Sequence, residues 1–149
     1  MPIVLSDEDR TMLAYAVRVP HPAFDGTNPR SVSPDDADLT YAIIEFDGGS
    51  VLFGYPNDEV LGGHPLFERG LRFYGAFEVV QTSWIRGLDR RNRIVYPDRS
   101  VFEGERHIIL TFHDSTFECL TRSWTIHESM TSPRREVVAR MNEILHADQ

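Results

Sequence analysis

The chain of 149 residues contains no lysine; all 15 of its basic residues are arginine. Without a side-chain amine no Schiff base can form, which excludes lysine-anchored pyridoxal phosphate and lysine-based aldolase chemistry. The phosphate-cradling loop that ends in Gly-Lys-Ser/Thr is excluded on the same ground. Arginine still offers bidentate recognition of carboxylates and phosphates, and we ascribe the bias to codon usage in a GC-rich bacterial genome. Cys119 is the single cysteine, so neither an intramolecular disulfide nor a cysteine zinc knuckle is available. No apolar run approaches the roughly 20 residues that span a bilayer. The opening residues Met1-Pro2-Ile3-Val4-Leu5 lack the basic and long apolar regions of a signal peptide. Positive charge is also short. The net charge of −8 repels a phosphate backbone and disfavours nucleic acid as a partner. Neither a Gly-x-Gly-x-x-Gly fingerprint nor a Gly-x-Ser-x-Gly elbow is present, which argues against a Rossmann dinucleotide site and an α/β-hydrolase.

What remains is ordinary globular material. Hydrophobic residues at 41% and charged residues at 26% set the chain apart from disordered sequences. We read residues 1–149 as a single domain of a soluble, cytoplasmic bacterial protein.

Local signals place its elements. Ser6, with Asp9 three residues on, and the stripe Met12, Leu13, Ala16 and Val17 suggest a short capped helix. The alternation Val17-Arg18-Val19 keeps a strand open as the alternative. Residues 20–38 hold four prolines, at 20, 22, 29 and 34, and read as a long irregular segment. Residues 40–46 and 50–55 flank Asp47-Gly48-Gly49 and predict a first hairpin. His64 to Arg69, with Pro65 just inside and Gly70 just past, predicts a one- or two-turn helix. Residues 71–85 read as one or two strands bent at Gly75, and 86–105 as polar and irregular. Residues 106–112 and 117–124 predict a second hairpin around His113-Asp114-Ser115-Thr116. A C-terminal amphipathic helix from Pro133, capped by Ser132, carries the stripe Val137, Val138, Met141, Ile144 and Leu145. The sum is an α+β fold: an antiparallel sheet of about four to six strands, with two hairpins, and the C-terminal helix packed on one face.

The second hairpin carries the candidate chemistry. Pairing Phe112 with Phe117, Leu110 with Cys119 and Ile108 with Thr121 puts those side chains on the core face. The other face then holds His113 and Glu118 as diagonal neighbours with Asp114 at the turn, Ile109 and Leu120 in the middle, and His107 with Arg122 at the far end. His113, Asp114 and Glu118 are the candidate acid–base residues. A plain turn with a cross-strand His–Glu contact explains the same pattern. Cys119 reads as a small buried hydrophobe. His64 and Arg122 are candidate ligand contacts, His64 through its place beside Gly62-Gly63 at a helix start and Arg122 through anion pairing. Exposed Ile109 and Leu120 require cover, and the 62–64 segment or the proline-rich loop would supply it as a lid. The stretch from Trp84 to Arg93, with Arg86, Arg90, Arg91 and Arg93, reads as a solvated loop with internal ion pairs. No metal spacing and no cofactor motif is recognised. The function expected is binding of a small ligand or a protein partner, with a small enzyme built on His113, Asp114 and Glu118 as the alternative.

Overall fold

The structure, a computed structural model, describes residues 2–17 and 39–147. It has the α+β architecture, with two four-stranded antiparallel sheets where the sequence suggests one of four to six strands. By contact the chain divides into two compact units: Met1–Phe46 with Trp124–Gln149, and Asp47–Ser123. The proline-rich stretch 20–38 lies outside the described residues.

In the first unit, β1 (Ile3–Ser6) and β2 (Arg10–Ala16) form a hairpin, not a helix. The capping chemistry of the sequence is spent on a turn. One carboxylate oxygen of Asp7 accepts from the amides of Asp9 (2.8 Å) and Arg10 (2.7 Å). Sheet order continues through β3 (Tyr41–Asp47) to β8 (Trp124–Ser129). The C-terminal helix α2 (Pro133–Ala147) forms as expected. Its Val137 and Met141, with Ile144 beside them, pack on Met12, Ala14 and Ile43. Val138, assigned by sequence to the same stripe, is 48% exposed, and the Leu145 side chain lies outside the described residues.

The second unit holds the sheet β4-β7-β6-β5, from β4 (Ser50–Gly54), β5 (Ala76–Val79), β6 (Arg106–Thr111) and β7 (Thr116–Thr121). The hairpin expected around Asp47-Gly48-Gly49 does not form, since β3 pairs with β8 and β4 with β7. Gly48 serves another purpose: at φ 145° its missing Cβ would sit 2.6 Å from the Leu120 carbonyl oxygen. Glycine here permits a close backbone approach to β7 as well as the left-handed conformation. Residues 86–105 are not irregular throughout, because helix α1 spans Ser83–Val95. Thr82 caps it by accepting the Trp84 amide at 3.1 Å, and Arg93 pairs with Asp89 one turn earlier at 2.7 Å.

The β6–β7 hairpin forms, with its pairing shifted by two residues. Leu110 opposes Phe117, Ile108 opposes Cys119 and Ile109 opposes Glu118. Phe112 donates its amide to the Ser115 carbonyl at 2.8 Å, leaving His113 and Asp114 as the tip. Which residues share a face is unchanged, because a slip of two residues equals the side-chain period of a strand. Phe117 and Cys119 are fully buried, and burial pushes the Cys119 thiol up to about 12, so it is an inert core group.

Candidate functional site

Ile109 and Leu120 are buried, not exposed. Ile109 is covered by the segment between β4 and β5, which runs through two 3₁₀ turns, Asp58–Gly63 and Phe67–Arg69. Leu61 and Leu71 pack on Ile109, with Leu66, Phe67, Phe77 and Val79 around them. His64 ends the first turn, its amide donating to the Leu61 carbonyl at 2.9 Å. Leu61 thus anchors His64 over the outer face of β6–β7.

There the register change decides the chemistry. With Ile109 opposite Glu118, the diagonal neighbour of Glu118 on β6 is His107, and His113 is carried out to the tip. His107 Nε2 stands 2.8 Å from Glu118 Oε2, and His64 Nε2 stands 3.3 Å from Oε1. His107 Nδ1 meets Thr82 Oγ1 at 2.9 Å, and the Trp84 indole packs on the His107 ring at 5.3 Å, 87° between planes. The Glu118 side chain is only 16% exposed. Burial alone would raise its carboxyl, but the hydrogen bonds from His107 and then His64 outweigh burial and hold it below the usual value of 4.5.

Proton positions follow from these partners. The Leu66 amide donates to His64 Nδ1 at 3.1 Å, so that nitrogen carries a lone pair and the proton sits on Nε2, donated to Glu118. A histidine that ligates a metal through one nitrogen donates through the other; His64 cannot, because its other nitrogen already accepts. Among the described residues no three His, Cys, Asp or Glu side chains are grouped as metal ligands. His107 faces an ionised carboxylate with Nε2 and therefore donates from it, leaving Nδ1 to accept the Thr82 hydroxyl proton. Thr82 Oγ1 retains lone pairs for the Trp84 amide and for one further contact.

These groups line a cleft of about 520 Å³. Leu66, Phe77, Val79 and Trp84 supply apolar walls, while His64, Thr82, His107 and Glu118 supply the polar surface. Arg69 and Arg86 also border it. Gln81, at φ 56°, turns the chain from β5 toward α1 at the same cleft in a conformation costly for a non-glycine residue.

The other candidates from sequence lie elsewhere. His113 is 71% exposed and binds Asp58 Oδ2 through Nδ1 at 2.6 Å, with Asp114 at 4.0 Å from Nε2. Tyr74, at φ 54°, donates its hydroxyl to the same Asp58 oxygen at 2.5 Å. His113 and Asp114 therefore do not join Glu118. Arg122 pairs with Glu105 at 3.2 Å and donates to the Val101 carbonyl, away from the cleft lining. Of the named residues, His64 and Glu118 come together. Thr82, Trp84 and His107 complete the cluster; Thr82 and Trp84 were hidden by the reading of 71–85 as strand.

The hydrogen bond His113 donates to Asp58, then the charges of Asp58 and Asp114, raise His113 above 6.5. What this pairing contributes to stability is present below 6.5 and is lost as pH rises through the higher folded value. The expected proton NMR titration of His113 has a midpoint above 6.5 that falls toward it in Asp58→Asn. Equal midpoints in the two proteins would refute the pairing in solution.

No protein-family model, no curated protein and no solved structure matches this chain. Among the described residues no helix is long and apolar enough to cross a membrane.

Proposed function

We propose that the Asp47–Ser123 unit binds a small organic molecule in the cleft over β6 and β7. The observation that carries this reading is a largely enclosed carboxylate, Glu118, 16% exposed and fixed by two imidazoles at the polar part of a 520 Å³ cleft whose walls are apolar. Ligand sites combine mostly apolar walls with a few fixed polar groups, and each polar group here is already oriented by a second partner. The ligand class that suits it has an apolar or aromatic body for Phe77, Val79 and Trp84. Its polar end meets Thr82, His107 and Glu118, and an anionic substituent suits Arg69 or Arg86.

The test is a thermal-shift screen of a small-molecule fragment library on the parent and on Trp84→Ala. Hits that stabilise the parent and lose at least about tenfold in affinity, equal to about 1.4 kcal/mol, in Trp84→Ala support the cleft. Hits that bind both proteins equally place binding elsewhere and end the proposal.

A further inference from the structure

Thr82, His107 and Glu118 stand in a line that the binding reading does not need. The Thr82 hydroxyl reaches His107 Nδ1 at 2.9 Å, and His107 Nε2 reaches Glu118 at 2.8 Å. This is a hydroxyl, a base and a group that orients the base, the signature of an activated nucleophile. A base that only buttressed a helix cap would need no carboxylate behind it. Here the carboxylate is itself held from its far side by His64, which fixes its position. Thr82 borders the cleft and is 7% exposed, so little bulk water reaches it. It also caps the 13-residue helix α1, whose positive end favours a negatively charged oxygen.

Building on the cleft proposed above, we infer that it is an esterase-type acyl-transfer site in which Thr82 is the nucleophile, His107 the general base and Glu118 a positioning residue. The substrate class is a carboxylic ester with an apolar body. A lone pair of Thr82 Oγ1 attacks the carbonyl carbon as the hydroxyl proton passes to His107 Nδ1, and the carbonyl π pair moves onto its oxygen. Collapse of that intermediate breaks the bond to the alcohol, which leaves with the proton from Nδ1, and Thr82 holds the acyl group as an ester. Water then attacks the acyl carbon, giving its proton to Nδ1. Thr82 Oγ1 departs, recovers that proton and frees the acid. The absence of a Gly-x-Ser-x-Gly elbow is no obstacle, because such an arrangement is defined by geometry and not by sequence order.

Glu118→Gln tests the positioning role without emptying the site. His64 must still donate to residue 118, because Leu66 holds its other nitrogen, so the glutamine oxygen faces His64 and its amide faces His107. His107 then accepts at Nε2 and carries its proton on Nδ1, where it can no longer take one from Thr82.

The experiment incubates the full chain with p-nitrophenyl butyrate and locates the butyryl group by peptide mass spectrometry. Binding of the unreactive amide N-(4-nitrophenyl)butyramide is followed in parallel through the Trp84 indole signal. The expected result is a butyryl ester on Thr82 that Thr82→Ser also forms and Thr82→Val does not. Glu118→Gln is expected to form it at least about 100-fold more slowly, while still folded with a melting temperature close to the parent's and the His107 proton seen on Nδ1 by nitrogen NMR. A label on another residue, or one that persists in Thr82→Val, overturns the inference. No label while the amide binds at Trp84 ends the acyl-transfer inference and leaves the binding cleft standing. Neither label nor binding removes both.

Discussion

Truncating Phe117 to alanine is expected to cost about 3–5 kcal/mol of unfolding free energy. Phe117 is fully buried on β7, which pairs with β4 on one side and β6 on the other. It lies opposite Leu110 on β6 and opposite Phe53 on β4, with 6.5 Å between the two ring centroids. Removing the ring deletes its buried area and opens a cavity in the middle of a sheet whose backbone pairing on both sides resists collapse. Urea unfolding of the parent and the variant measures the loss. A loss under about 1 kcal/mol would mean that Phe117 does not fill the space assigned to it.

Glu118 is expected to divide its variants sharply. Glu118→Ala removes the acceptor of the buried His107 N–H and the half-buried His64 N–H and should cost about 3 kcal/mol, since an unpaired donor shielded from water carries much of its desolvation penalty. Glu118→Gln should cost much less, because His107 can exchange its tautomer and keep both imidazoles and residue 118 paired, the Thr82 hydroxyl proton alone losing its acceptor. The native carboxylate adds a pH dependence. Its folded value lies below 4.5, so its contribution is complete above 4.5 and disappears as pH falls through the lower folded value. The parent should therefore lose stability on acidification more steeply than Glu118→Gln. Equal costs for alanine and glutamine, with parallel acid profiles, would show that the imidazoles do not depend on this carboxylate.

Much of the fold is legible in short-range patterns, and what is not has identifiable causes. The β6–β7 hairpin and the face assignment of Phe117 and Cys119 follow from strict alternation. The exact pairing does not, because alternation is the same in registers that differ by two residues. That shift replaced His113 by His107 beside Glu118. The β3–β4 pairing failed because Gly48 reads as turn glycine, whereas it permits contact with Leu120, a residue far along the chain. Helix α1 was obscured by Gly87 and its four arginines, and none of its residues is fully buried. Its signal was present in Thr82 as cap, in Trp84, Ile85 and Leu88 at helical spacing, and in Asp89 four residues before Arg93. Alternation leaves Ile109 needing cover, and the segment carrying Leu61, next to Gly62, Gly63 and His64, packs on it. Thr82 lies on a different element from the hairpin that brings His107 beside Glu118, so no local motif could have joined it to them.

The most direct test of the cleft is a crystallographic fragment screen on the parent protein. The account predicts density for bound fragments between Phe77 and Trp84, with a polar atom within hydrogen-bonding distance of Thr82 Oγ1, His107 or Glu118. Fragments gathered at the exposed Asp58–Tyr74–His113 cluster or elsewhere, with this cleft holding only solvent, would contradict it.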